Sequence, residues 1–181
     1  MSQRNQLTHF DDQGSARMVS VSDKTATHRV AVVSGQVIMN SDTADLITNK
    51  AFGKGDVIEI ARLAGIMASK RTSELIPLCH PITLDSVDLK FAFTETAAND
   101  SDANHGTATL VVSATVAAEQ KTGVEMEAFT AVSIACLTVY DMCKSVDRSM
   151  QVTQIQLEHK SGGKSGDFRR DSTLIDGLNN P

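Results

Sequence analysis

Towards the end of its longest apolar run the chain carries "TVYDMCKSV" (138–146), with Asp141 and Lys144 three residues apart. On a helix that spacing puts a carboxylate and an ammonium on one face, where each keeps the other charged. An ordinary surface ion pair is the plainest account of it. The flanking Val139, Tyr140, Met142 and Cys143 are apolar, however, and charge beside apolar surface is costly to desolvate unless a ligand or partner offsets the cost.

Three other stretches carry chemistry. "GVEMEA" (123–128) sets Glu125 and Glu127 two apart, either as first-turn charges favoured by a helix dipole or as paired carboxylates facing one ligand. "LIPLCHP" (75–81) places Cys79 beside His80 between two prolines, and Pro81 restricts His80 to extended backbone. Adjacent residues are a poor spacing for two ligands to one metal, so a turn histidine or an acid/base fits better. "FGKGDV" (52–57) holds Lys54 between glycines before a helix start, either a solvated turn lysine or a cation over an anion site. Glu127 and Asp141 are separated by nearly four helical turns, about 21 Å along one axis. If both act on one compact ligand, the site is assembled from two chains.

Several chemistries lack their residues. "KSGGKSGDF" (160–168) imitates a phosphate loop ending at Lys164, but Glu158 stands where the first glycine is needed, leaving only a glycine-rich anion nest with Lys160 and Lys164. No G-x-S-x-G, G-x-G-x-x-G or H-E-x-x-H is present. Cys79, Cys136 and Cys143 form no C-x-x-C, which disfavours a structural zinc site or a disulfide framework. What survives is a set of Lys, His, Asp and Glu suited to proton transfer on an anionic substrate without a metal.

These residues need a frame. The 181 residues are expected to form one domain, with a core over about 20–160, a loosely held N-terminal segment and a Gly-rich C-terminal tail. The composition is 41% hydrophobic with no Trp and one Tyr, and the net charge of −5 argues against nucleic-acid binding. No apolar run approaching the length of a bilayer span or a secretory signal is evident, so a cytoplasmic protein is expected. "HRVAVVSGQVIM" (28–39) reads as a strand with a bend at Gly35. "VIEIARLAGIMASKRTSEL" (57–75) reads as a helix capped by Asp56 and stopped by Pro77, with apolar residues at 60, 63, 64, 67 and 68. "VDLKFAF" and "ATLVVSATV" are strands joined by a long polar hairpin loop, 126–146 is an all-round apolar helix, and "MQVTQIQLEHK" is a closing strand. A short helix is anticipated near "SDTADLITNK". The order β-α-β-β-α-β predicts a ferredoxin-like α+β fold, an antiparallel sheet with helices on one face. An RNA-recognition module shares that order but needs strand aromatics that only "FAF" offers. A helix apolar all round should be covered by another subunit, so a homo-oligomer is expected.

"KGDV", "AGIMASKRTSELIPLCHP", "KTGVEMEAFTA", "LTVYDMCKSVD" and "KSGGKSGDF", in that order, closely resemble the MoaC family of cyclic pyranopterin monophosphate synthases; "LTHFDDQGSARMVSVSDKTATHR" resembles its N-terminal segment. The resemblance covers about residues 7–168. It implies a lyase of molybdenum cofactor biosynthesis that converts 3′,8-cyclo-7,8-dihydroguanosine 5′-triphosphate, made by a radical GTP cyclase, to cyclic pyranopterin monophosphate and diphosphate. It also implies a hexamer, a trimer of dimers, with the site at a dimer interface. By motif, Asp141, Lys144, Lys54 and His80 are implied as catalytic residues. Leu78, Cys79, His80, Glu125, Met126, Glu127, Arg29, Lys160 and Lys164 are implied as substrate-binding. No cofactor is expected, and the sequence does not indicate whether magnesium accompanies the diphosphate. Ser20 stands where the family often has Asp.

Overall fold

The computed structural model describes residues 9–11, 13–51, 55–94, 106–164 and 166–171. The β-branched run expected as the first strand forms β1 (Thr27–Asn40). On one of its faces Ala31, Val33, Val37 and Met39 are at most 2% exposed. β1 pairs along its whole length with β3 (Thr107–Gln120), without a register break. Its pairing with β4 (Gln151–Ser161) is interrupted between Val32 and Val33 and again at Gly35, where the sequence suggested a bend. β2 (Ser86–Thr94) joins the far side of β3, and a two-residue β5 (Phe168–Arg169), which the pattern did not suggest, joins β4. The antiparallel order β2-β3-β1-β4-β5 leaves β1 and β2 parallel with β3 between them, the ferredoxin-like split βαβ. The hairpin loop between β2 and β3 lies largely outside the described residues.

α1 (Ser41–Thr48) follows β1 as anticipated. α2 (Val57–Ser69) starts at Asp56, whose Oδ1 accepts from the Ile58 and Glu59 amides. It does not continue to Pro77. Ser69 and Thr72 hydroxyls donate to the Ile66 and Ser69 carbonyls, and the chain re-forms a single turn, α3 (Thr72–Leu75). α4 (Glu125–Cys143) packs on β1, β3, β4 and α2.

Two expectations about the helix faces are corrected. α2 turns its small residues inward: Val57, Ala61, Gly65 and Ser69 are buried at i+4 spacing, whereas the larger Ile60, Leu63 and Met67 are 43–57% exposed. A Cβ on Gly65 would come within 2.9 Å of the Ala131 carbonyl and closer still to Leu89, so a residue without a Cβ is what lets α2 lie this close to α4. An uncovered apolar stripe therefore lies on α2, and α4 also leaves Met126 and Leu137 exposed. α4 also has the length and hydropathy of a membrane span, contrary to the absence expected from the sequence. Half of it is buried against the sheet and α2, however, as in a core helix.

Asp147, beyond the end of α4, ties this frame together. One carboxylate oxygen accepts from the Asn40 amide and the Thr43 hydroxyl, the other from the amide and hydroxyl of Ser149. Burial alone would raise its pKa, but these four donors outweigh burial and hold it below 3.8. A carboxylate held low contributes stability above its unfolded pKa and loses it as pH falls through the folded value. Asp147→Asn should cost about 1–3 kcal/mol in urea unfolding at pH 7. The difference from wild type should shrink below the carboxylate range; an equal loss at pH 7 and pH 3 would remove this account.

Candidate functional site

The segment "LCH" projects from the turn after α3 and faces the first turn of α4 across a cavity of about 570 Å³, whose walls include Leu78, Cys79, His80, Glu125, Met126 and Glu127. The proline pair and the helix start thus bring together six residues singled out by the sequence. The near wall belongs to residues 19–24, where Val19, Val21 and Lys24 line the same space. The Val19 carbonyl lies 2.8 Å from His80 Nε2. A carbonyl only accepts, so Nε2 carries the hydrogen and Nδ1 of the neutral ring is left as the acceptor. Glu127 and His80 also share a smaller cleft with Lys70 and Ser73.

A second cavity of about 620 Å³ opens beside the first and shares Lys24, Thr122, Gly123 and Glu125 with it. Here lie Arg29, Lys160 and Lys164, together with Lys121, which the sequence reading passed over. Gly162 and Gly163 have φ of +89° and +81°, and a Cβ on Gly163 would meet the Arg29 guanidinium, so the glycines let arginine and backbone share one wall. Arg29 Nε donates to the Gln120 carbonyl at 3.2 Å, and Lys160 lies 3.6 Å from Glu125. The Gly162 amide donates to Asp167 at 3.4 Å, so part of the glycine turn is already engaged by a carboxylate.

The two cavities differ in electrostatic character. In the first, burial pushes the Glu127 carboxyl up to about 7, with the nearby Glu125 charge adding to the rise. Burial, then the Glu127 charge, raises the Cys79 thiol, so it is a neutral neighbour and no activated nucleophile. Among the described residues the second is lined by five basic side chains, Lys24, Arg29, Lys121, Lys160 and Lys164, against the acids Asp23 and Glu125. A neutral or proton-sharing acid beside a polyanion site suits a ligand with a heterocyclic end and a phosphate end. Among the described residues no cluster of three or more His, Cys, Asp or Glu is arranged to hold a metal ion.

Asp141 and Lys144 stand apart from both cavities, at the opposite end of α4. Lys144 Nζ lies 2.6 Å from Asp141 Oδ1, with both side chains more than half exposed, and the hydrogen bond and charge of Asp141 raise the lysine pKa. Within one chain this is a surface ion pair. Lys54 lies outside the described residues. Ser20 lines neither cavity, and its hydroxyl lies 3.3 Å from that of Ser22. Lys24, Lys121 and the Val19 carbonyl were missed because the segments that carry them have no periodicity. Lys24 sat inside a stretch noted only for its resemblance.

The MoaC family model matches residues 18–163. "Cyclic pyranopterin monophosphate synthase" of Magnetococcus marinus is 52% identical over 166 residues, covering 92% of this chain and 96% of the relative. The protein of the same name from Heliobacterium modesticaldum is 52% identical over 165 residues, covering 91% and 98%. That of Brevibacillus brevis is 49% identical over 165 residues, covering 91% and 96%.

Glu127 supplies a test of the site's electrostatics. Its folded pKa of about 7 exceeds the ordinary 4.5, so the protein loses stability as pH rises between those values, and the cost is constant above them. Glu127→Gln should therefore be stabilising by about 1–3 kcal/mol at pH 8 and close to neutral at pH 4. Unfolding curves at the two pH values check this, and a pH-independent difference would show that burial does not govern the carboxyl.

Proposed function

This chain belongs to the MoaC family, and we propose that it is a cyclic pyranopterin monophosphate synthase. It converts 3′,8-cyclo-7,8-dihydroguanosine 5′-triphosphate to cyclic pyranopterin monophosphate and diphosphate. The observation that carries the reading is the pairing of the two cavities: a pocket with His80 and a buried, proton-holding Glu127 opens directly into one lined by five cations. The substrate has the same two ends. Its base-derived rings fit the first cavity, and its phosphates fit the second.

The reaction opens the purine-derived ring, builds the pterin and closes a cyclic phosphate. In the last step a sugar-derived hydroxyl oxygen bonds to the α-phosphorus and the bond to the β-phosphate breaks, so diphosphate leaves and the hydroxyl proton passes to a base. His80 Nδ1 is placed to accept a proton in the first cavity, since Val19 occupies Nε2. Glu127 carries a proton near neutral pH and can give or take one there. Arg29, Lys160 and Lys164 stabilise the charge on the departing diphosphate. No resident cofactor is needed, and any magnesium arrives on the diphosphate.

Asp141 and Lys144 enter this scheme from a second copy of the chain. The helix that holds Glu127 at one end and the ion pair at the other is too long for one ligand to touch both, about 21 Å. A dimer-interface site resolves this, within a hexamer built as a trimer of dimers. The apolar stripe of Ile60, Leu63 and Met67 supports association, being surface that a lone chain leaves in water. The enzyme acts in the cytoplasm, downstream of a radical GTP cyclase that supplies its substrate.

Asp141→Asn and Lys144→Ala should each slow anaerobic diphosphate release from this substrate by roughly 10²-fold or more, as for loss of a general acid/base. Full activity in both would sink the assignment. Separately, an inactive Glu127→Ala protein mixed and reassembled with inactive Asp141→Asn should recover part of the activity, because some sites then draw an intact residue from each chain. No recovery in demonstrably mixed oligomers would place the two residues in different sites.

A further inference from the structure

We propose that Glu158 is a positioning residue, the pin of a β-bulge that turns Lys160 into the basic cavity. The inference rests on the reaction proposed above for the ligand that Lys160 meets. In the ladder between β1 and β4 the consecutive residues Val32 and Val33 face His159 and Leu157, so Glu158 is an extra residue on β4. Beyond it Lys160 pairs with Ala31, a core residue, and lines the cavity, where its Nζ lies 3.6 Å from Glu125 Oε1. A ladder without the bulge would set His159 opposite Ala31 and Lys160 opposite Val30, which exchanges the faces of the two side chains.

Side chains hold this bulge. At the other interruption of the same ladder Gln154 takes a φ of +50°, so there the backbone itself accommodates the extra residue. Glu158 has no such conformation. Instead its Oε1 accepts from the Ser34 hydroxyl and, at 2.9 Å, from the Gln156 side-chain amide, while its carbonyl accepts from the Arg170 amide at 2.8 Å. Ser34 is fully buried on the neighbouring strand, and Glu158 is 2% exposed. The second carboxyl oxygen, Oε2, is buried without a hydrogen-bond partner among the described residues. Half-satisfied burial of a carboxyl is costly, and an apolar side chain would avoid the cost. What the carboxyl supplies is one acceptor that ties the extra residue of β4 across to β1.

The test reads diphosphate binding and turnover separately. Inorganic diphosphate is titrated calorimetrically into wild type, Glu158→Gln, the pair Ser34→Ala/Glu158→Leu, Lys160→Gln and the triple variant that combines the last two. Glu158→Gln keeps an acceptor for Ser34 and should bind within about twofold of wild type. In the pair both partners become apolar, so Tm should hold, yet affinity should fall about tenfold, as for Lys160→Gln, although a negative charge has been removed. The triple variant should also fall about tenfold and not a hundredfold, because pin and lysine act as one unit. If the pair does not fold, Ser34→Ala with and without Lys160→Gln should show the same non-additivity. In the activity assay the pair should raise KM for the triphosphate about tenfold with a smaller change in kcat. Wild-type affinity in the pair would overturn the proposal, as would an additive loss in the triple variant or a loss in Glu158→Gln equal to that of the pair. So would wild type without measurable affinity for diphosphate. Wild type that binds diphosphate with this coupling intact yet never turns over the triphosphate would sink the proposed reaction and leave the Glu158 assignment standing.

Discussion

α4 is a 19-residue element, and the close seat it finds on the sheet governs where the acids it carries lie. That seat exists because Gly35 offers no Cβ beneath Val132, where an added methyl would come to 2.7 Å, and because Gly65 lets α2 lie against the other flank. Fixed in this way, the helix delivers Glu125 and Glu127 to a cavity at its start and Asp141 and Lys144 to solvent at its end. Asp147 then anchors the exit of the helix to the top of β1 and to α1. The distance between the two functional ends is therefore a property of the core. Side-chain motion cannot bridge it, so one compact ligand on a single chain meets Glu127 or Asp141 and never both.

Burial sorts the acids and thiols. Glu125 and Glu127 are two residues apart, yet only Glu127 is turned inward, 4% exposed, and burial holds its carboxyl near 7. The same cavity keeps Cys79 protonated, which closes off thiolate chemistry beside His80. The basic cavity next door gains its character from count and convergence: β1 contributes Arg29, the 19–24 segment Lys24, the turn before α4 Lys121, and β4 with its glycine turn Lys160 and Lys164. Elements far apart in sequence meet there because β1 begins where its antiparallel neighbour β4 ends, beside the start of α4.

Much of the frame was legible in the sequence. β-branched alternation located β1 to β4, and Asp56 marked the start of α2 through the two amides it caps. The pattern failed where size and polarity part company. On α2 the large apolar residues were natural candidates for the core, but the helix pair is too close for them, and Ala61, Gly65 and Ser69 occupy the contact. The break at Lys70–Arg71 was hidden because it is made by hydroxyls bonding backward to carbonyls, and no glycine or proline marks it. At the site, Cys79, His80, Glu125 and Glu127 stood out by residue type, and Leu78 and Met126 through the family resemblance. Lys24 and the Val19 carbonyl did not, because a strap that crosses a cavity has no period to detect and a backbone carbonyl has no letter.

The two ladders of β1 differ in continuity. Fourteen consecutive pairs join it to β3, whereas the pairing with β4 is broken twice within five residues. Local opening follows the weaker seam, so β4 should exchange its amide hydrogens sooner than β3 does. Lys160 and the glycine turn ride on that seam, while Glu127 is carried by α4. Part of the basic cavity is thus carried by the less continuous of the two ladders, whereas Glu127 rides on a helix packed across both.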